Sequence, residues 1–344
     1  MRKLIVSKVD FHEVFVGIDY ATAFVQVCVL DRLGNVLGNR ACRNDAWHIV
    51  RYVASFGRRV RASIEACTGA ADLAEELLQK AGWSIDLAHP GYVQRMKQSP
   101  DKSDYTDARM LADLVRVGYL PRVWLAPQVI RELRRLVRHR IDLVNRRRVL
   151  KLRVGALLRD HRIVPPPGSS WTQRWRSWLK TLALTDQTRW VIDDCCVELD
   201  ALAIRIQAVE SRLAQATASD GMIQKLCTLR GIGLITACVI RAEIGDVTRF
   251  RTGKQLSRFC GLTPRNASSG LRVADAGLIQ AGNRHLRAAL MEAAHRLMRF
   301  DSRWKAFAAH LESRGKKRCV AVAAVANRWM RGLFHEMIQV ARAA

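Results

Sequence analysis

The 344-residue chain carries 57 Lys and Arg against 31 Asp and Glu, a formal charge of +26, with 49% hydrophobic and 26% charged residues. That hydrophobic fraction excludes a disordered chain, and the length allows two or three domains with substantial cores. The charge points to a polyanionic partner, nucleic acid ahead of a membrane surface, and with no apolar run of about 18–20 residues and no signal-peptide pattern we expect a cytoplasmic protein and no membrane partner.

The first 125 residues alternate strand and helix signals. "EVFVGIDYA" is a short apolar run, "TAFVQVCVLD" has a period of two, and a turn at "RLGN" leads to "VLGNRAC", which together predict a three-stranded antiparallel meander. A helix over about 44–56, a strand at "RVRASIEA", a helix at "AADLAEELLQKAG" closed by its glycine, and a fifth strand at "SIDLAH" follow, then further helices. Three strands, then helix–strand–helix–strand–helix, is the order of an RNase H-like (RuvC-like) domain, expected over 1–126.

Residues 127–162 hold twelve Lys or Arg against three acids, with Ile130, Leu133, Val137, Ile141 and Val144 as an apolar stripe. "VPPPGSS" interrupts, and "WTQRWRSWLK" resumes a basic, tryptophan-rich pattern. Ile192, Cys195, Leu199, Leu202, Ile206, Val209 and Leu213 then alternate three and four residues apart. This spacing predicts a coiled-coil or helical-hairpin seam within a basic helical region over 127–217, covered either by the same chain or by a second copy. After residue 218 the chain reads as all-helical. "MIQKLCTLRGIGLITACVIRAEIG" has the pattern of a helix-hairpin-helix, in which Gly231 and Gly233 would let backbone N–H groups approach phosphate. The nine cysteines form no C-x-x-C pair and sit mostly among apolar neighbours, as reduced structural thiols do, so no zinc site is expected.

Asp19 falls at the end of the first predicted strand and Glu65 at the end of the fourth, strands that lie side by side in an RNase H-like sheet. Asp104 and Asp107, three apart, share a helix face. If that helix covers the strand ends, four carboxylates converge. Hard oxygen ligands favour Mg²⁺ or Mn²⁺, and two such ions could clamp an in-line phosphoryl displacement. Each acid alone has a plain structural alternative as a strand-end, loop or first-turn residue.

"GIDYA", "IEACTG" and "DKSDYTDA" resemble the three acidic motifs of the insertion-sequence-110 family of transposases, to which certain DNA invertases are related. The resemblance continues through "LRGIGLITACVIRAEIGDVTRF", "LSRFCGLTPRNASSG" and "AGNRHLRAALMEAA". It implies a metal-binding DEDD site of Asp19, Glu65, Asp104 and Asp107, leaving Asp101 outside, with Ser103 as a helix cap. It also implies a helical transposase domain over 218–344, whose nucleophile is the serine of the Ser-Gly pair after "GLTP", forming a phosphoserine with DNA. That maps to Ser269, with Ser268 as fallback; Arg265, Arg272, Arg284 and Arg287 bracket it and would steady phosphate. The family commonly has a lysine where this chain has Gln280; if that lysine steadies phosphate, either a neighbouring arginine substitutes here or activity is weakened.

The implied partners are donor and target DNA, a noncoding guide (bridge) RNA, and further copies of the chain in a dimer or tetramer assembled through the 192–213 heptads. The basic helix offers Arg134, Arg138, Arg146 and Arg147 to nucleic-acid phosphates. The alternative is a metal-dependent, structure-selective nuclease resembling a junction resolvase, which would use the carboxylates alone; a non-catalytic nucleic-acid binder would be favoured only by charge. A tyrosine recombinase is disfavoured because all five tyrosines precede residue 120.

Overall fold

Along Glu13–Asp19 the even positions Val14, Val16 and Ile18 and the odd positions Phe15 and Gly17 are all buried, so this strand (β1) is covered on both faces. The computed structural model describes residues 13–96, 103–268, 270 and 275–343, and the chain divides into two units, Met1–Ala126 and Pro127–Ala344.

In the first unit β1 pairs antiparallel with β2 (Phe24–Leu30), which pairs with β3 (Val36–Arg43). After α1 (Ala46–Ala54), β4 (Arg59–Glu65) returns parallel to β1. Helix α2 (Ala70–Ala81) leads to β5 (Ser84–Ala88), parallel to β4. Helices α3 (Pro90–Met96) and α4 (Asp104–Arg116) precede β6 (Arg122–Val123), an antiparallel edge that sequence alternation was too short to reveal. The sheet order is β3-β2-β1-β4-β5-β6. One face, built from Val14, Val16, Ile18, Val27, Ala62 and Ile64, is covered by Ile49 and Val53 of α1 and Leu73 and Leu77 of α2.

Helix α4 covers the other face. Phe15, Cys28 and Leu30 meet Ala108, Ala112 and Val115 there. Gly17 lets the helix backbone lie directly on β1, because a Cβ at Gly17 would collide with the carbonyl of Ala108 and the amide of Ala112. On the neighbouring strand the fully buried Ser63 hydroxyl donates to the Leu111 carbonyl at 2.8 Å. The direction of α4 is fixed at both ends. Arg116 donates to the Arg32 carbonyl in the β2–β3 turn, beside the start of β1, while the Asn39 amide donates to the Tyr105 carbonyl at 3.0 Å. The helix therefore runs antiparallel to β1, and its first turn lies toward the strand's C-terminal end.

Among its described residues the second unit is helical apart from one small ribbon. Helix α5 (Gln128–Asp160) is 33 residues long, about 50 Å at 1.5 Å per residue. Helices α6 (Gln173–Thr181) and α7 (Asp186–Ala216) fold back on it. Arg140 pairs with Glu210 at 2.7 Å and His161 meets Thr188 at 3.0 Å, so α5 and α7 are antiparallel. Ile192, Cys195, Leu199, Leu202 and Ile206 pack with Leu143, Leu150, Val154 and Leu158 of α5 and Trp175 and Leu179 of α6. The heptad seam is thus covered by the chain's own helices. Its burial corrects the expectation that these positions form the assembly element, since their side chains are already covered by α5 and α6.

The rest of the unit comprises α8 (Gly221–Thr228), α9 (Leu234–Ile244), α10 (Gly253–Phe259), a two-stranded ribbon of β7 (Pro264–Asn266) and β8 (Asp275–Leu278), α11 (Arg284–Phe300), α12 (Ser302–Ser313) and α13 (Arg318–Ala343). The ribbon departs from the all-helical reading, its strands being too short to carry a periodic signal. Leu133 and Val137 near the start of α5 belong to this second core. All nine cysteines are free, and burial raises the thiols of Cys28 and Cys260 to about 11 and about 12. Among the described residues no helix is long and apolar enough to cross a membrane.

Gly17→Val should destabilise the first unit by about 3 kcal/mol, the upper range for overpacking, because the colliding atoms are backbone and cannot rotate away. A lowered thermal unfolding midpoint by circular dichroism checks this.

Candidate active site

Strand alternation decides where the first two carboxylates point. Asp19 shares parity with Phe15 and Gly17, and Glu65 with Ser63, so both project from the face that α4 covers. Ile18 is registered with Ile64, which makes Asp19 and Glu65 the next neighbours at the C-terminal ends of β1 and β4. Both lie close enough to Cys67 that, after burial, their charges help raise its thiol pKa.

Helix α4 supplies the other two. Its buried stripe is Ala108, Leu111, Ala112 and Val115, and four residues before Ala108 and Leu111 stand Asp104 and Asp107. One turn advances about 5.4 Å along the helix, and the two residues from Gly17 to Asp19 advance about 6.7 Å along the strand. The stripe that rests on Gly17 and Ser63 is therefore continued, past the end of the apolar contact, by two carboxylates over the strand ends bearing Asp19 and Glu65. Asp107 is half-buried and Asp104 exposed. The four face the same end of one sheet face but do not close up: among the described residues no three His, Cys, Asp or Glu side chains gather tightly enough to hold a metal ion. The convergence expected from sequence is one of direction, short of a formed cage. Ser103 occupies the cap position of α4, yet its side chain accepts no capping bond; its carbonyl accepts instead from the Thr106 hydroxyl and the Asp107 amide. Asp101 lies outside the described residues.

In the second unit the two ribbon strands flank the Ser-Gly pair in the sequence. Pro264 faces Leu278 and Asn266 faces Asp275 across it. The Asn266 side chain accepts from the Ser268 amide at 2.7 Å, and Ser268 is exposed. Ser269 and Arg272 lie outside the described residues. Arg265 and Arg284 are exposed, at the ribbon and at the start of α11. Arg287 is half-buried and donates to the Ile279 carbonyl at 2.8 Å, so it holds the chain between β8 and α11.

Near the start of α11 lies a residue that the sequence alone did not single out. Glu243, 2% exposed, accepts from Arg138 at 2.8 and 2.9 Å and from the Asn283 amide at 2.8 Å, with Arg134 at 3.8 Å. Asn283 in turn caps α11 by accepting from the His285 and Leu286 amides. Burial drives the Glu243 pKa upward, but the bonds from Arg138 and Asn283 and the charges of Arg138 and Arg134 outweigh it, leaving the carboxyl below its ordinary value. Arg134, whose Nε donates to the Ala242 carbonyl, and Arg138 thus tie α5 to α9, so both have a structural task, while the Arg138 side chain stays 47% exposed. The signal was an acid inside the apolar stretch "ITACVIRAEIG". On the same helix α5, Arg146 is exposed and Arg147 half-buried.

The two glycines between α8 and α9 divide in role. Gly231 has φ +86°, a conformation that favours glycine, and a Cβ there would press tightly on the Leu297 side chain of α11 at 3.0 Å. Gly233 is the exposed N-cap of α9 and carries no side-chain cap.

The first unit is thus a mixed sheet with carboxylates at the C-terminal ends of its two central strands, and the second is a helical unit rich in arginine. Residues 16–163 match a transposase family model of the IS110 DEDD type, and residues 223–309 match the family described as Transposase IS116/IS110/IS902. The chain belongs to the IS110 family of insertion-sequence transposases. It is similar to the transposase for insertion sequence element IS1111A of Coxiella burnetii, 27% identical over 319 residues covering 89% of this chain and 85% of the other. The transposase for insertion sequence element IS1328 of Yersinia enterocolitica is 24% identical over 279 residues, 81% of this chain and 82% of the other. The transposase-like protein y4qE of Sinorhizobium fredii is 28% identical over 218 residues, 63% of this chain and 54% of that relative, so the chain matches about half the length of that one.

Glu243→Gln should lower stability by about 3 kcal/mol at neutral pH, because it strands Arg138 and Arg134 without their counter-charge. With its pKa depressed in the folded state, Glu243 stabilises the fold fully above the ordinary carboxylate range. That contribution disappears as pH falls through the depressed value. Denaturant titrations of both proteins across acid pH should show the gap closing only at the acid end.

Proposed function

We propose that this transposase cuts and rejoins DNA through a covalent phosphoserine on Ser269, with Asp19, Glu65, Asp104 and Asp107 serving the same reaction from a RuvC-like domain. The reading is carried by the placement of Asp19 and Glu65 on adjacent strand ends beneath the first turn of α4, joined to the family match over both units. The Ser269 oxygen forms a bond to phosphorus as the bond to one deoxyribose oxygen breaks; the serine proton is lost and the departing oxygen gains one. A deoxyribose hydroxyl of the new partner strand then displaces the serine, so no phosphodiester energy is lost to water. Arg265 and Arg284, both exposed near the ribbon, are suited to the phosphate oxygens. The helix-hairpin-helix around Gly233 is suited to the DNA backbone at an uncapped helix start.

The donor set fits Mg²⁺ or Mn²⁺ in kind. It is made only of hard oxygens, and Mg²⁺ takes one or two carboxylates and completes its shell with water and phosphate, which suits acids that face one another without closing into a cage. Asp19 and Glu65 would hold such an ion, with Asp104 and Asp107 above it. When bound, the ion would withdraw charge from the phosphate oxygens. Guidance by a noncoding RNA and assembly into a dimer or tetramer belong to the same proposal, the first supported by the exposed Arg146 on a strongly basic helix.

Incubating the purified protein with donor and target DNA, and any required RNA, should yield a protein–DNA adduct that Ser269→Ala abolishes. Free hydrolysed ends that persist in that variant would point instead to a metal-dependent nuclease. Asp19→Asn, Glu65→Gln, Asp104→Asn and Asp107→Asn should each reduce strand transfer about a hundredfold or more, whereas Asp101→Asn should retain it.

A further inference from the structure

Helix α13 separates two cavities that none of the residues above accounts for. On one side lies a cleft of about 570 Å³ lined by Arg251, Lys254, Arg328, Arg331 and His335 together with Thr252, Gly253 and Phe334. All five basic side chains belong to exposed residues, and among the described residues none has an acidic partner within ion-pair distance. Gly253 is buried because α10 touches the backbone of α13 there: a Cβ would meet the Arg331 carbonyl at 2.8 Å. Two elements are thus pressed together so that cations from both line one cleft. The acids farther round α13 are already engaged. Glu336 pairs with Lys225 at 3.3 Å, and Asp301 accepts from the Arg303 and Trp304 amides at the start of α12.

On the other side lies a groove of about 380 Å³ lined by Pro264, Leu278, Phe307, Val320 and neighbouring alanines. Arg328 and Arg331 line both cavities, and the Arg328 guanidinium sits 4.9 Å from the centre of the Phe307 ring. Pro264 and Leu278 are the facing pair at the base of the ribbon, and Ser268 and Ser269 stand between its two strands in the sequence. Uncompensated cations beside an aromatic-floored apolar groove are the two parts of a single-strand site: charge follows the backbone while a ring stacks an unpaired base.

We propose that this edge of α13 holds a single DNA strand next to the ribbon, its phosphates in the cleft of Arg251, Lys254, Arg328 and Arg331 and one unpaired base in the groove against Phe307. The proposal rests on the reading of the protein as a DNA-rejoining enzyme. It places the strand at the ribbon from which the serine acts, and duplex DNA, whose bases are stacked inside, fills only the charged half.

The test is fluorescence anisotropy on the full-length Ser269→Ala protein, in which binding is read without chemistry. The probes are a labelled single-stranded oligodeoxynucleotide, the same sequence as duplex, and the same sequence as RNA, each over a salt series. Arg328→Gln with Arg331→Gln should weaken the single strand and flatten its log–log salt dependence by about 1.4, about 0.7 for each phosphate left without its cation, and the paired Lys replacements should restore the slope. Lys254→Gln, remote from any core side chain, should flatten it by about 0.7 should the double variant unfold. Phe307→Leu should weaken the single strand about tenfold while leaving the salt slope and the duplex affinity unchanged. An unchanged slope in folded Gln variants would overturn the site, as would equal losses on duplex and single strand in Phe307→Leu. Losses confined to RNA would overturn the assignment to DNA. Any of these with the Ser269-dependent adduct intact sinks this inference alone; an absent adduct with binding behaviour as stated sinks the phosphoserine reading alone.

Discussion

The absence of a side chain at Gly17 sets the distance between α4 and the sheet. Backbone rests on backbone there, and the Ser63 hydroxyl pins the next strand to the same helix through Leu111. Everything at the candidate carboxylate site follows from that contact. With the helix set at this height and in this direction, the positions one turn ahead of its apolar stripe overhang the strand ends, and those positions are aspartates. A bulkier residue at 17 would lift the whole row of acids off Asp19 and Glu65 without altering any one of them.

The second unit depends on a different economy of charge. In a chain with so large an excess of base, two arginines on α5 are nonetheless committed to one buried acid, Glu243. Through Asn283 the same carboxylate also reaches the N-cap of α11, so three helices share one buried acid. Arg249 shows the complementary solution. Burial pulls its pKa down to about 10, and its guanidinium lies over Phe250 and Phe259, 4.3 and 4.7 Å from the ring centres, where the ring faces offset some of the lost hydration.

The mixed sheet was legible because its strands alternate clearly and its helices are amphipathic, and the carboxylates were legible because they stand in recognisable motifs at strand ends and in a helical first turn. Other features were hidden for physical reasons. Two- to four-residue strands such as β6, β7 and β8 carry no periodicity. The heptads of α7 record that one face is apolar, but periodicity does not say which helix will cover it, and here α5 and α6 of the same chain do so. Arg138 looks like any surface cation until Glu243, 105 residues away, is brought to it. Ser103 has the composition of a cap but not the bond, because cap geometry depends on a rotamer that composition leaves open.

Helix α5 belongs to two cores at once, with Leu133 and Val137 in one and Leu143 to Leu158 in the other. Such a helix has no break at which the α5–α7 hairpin can loosen independently: fraying on the hairpin side removes successive backbone bonds that continue into the helical bundle. The two halves of the second unit are therefore coupled into one cooperative folding unit, and the interior amides of α5 report on the unfolding of both.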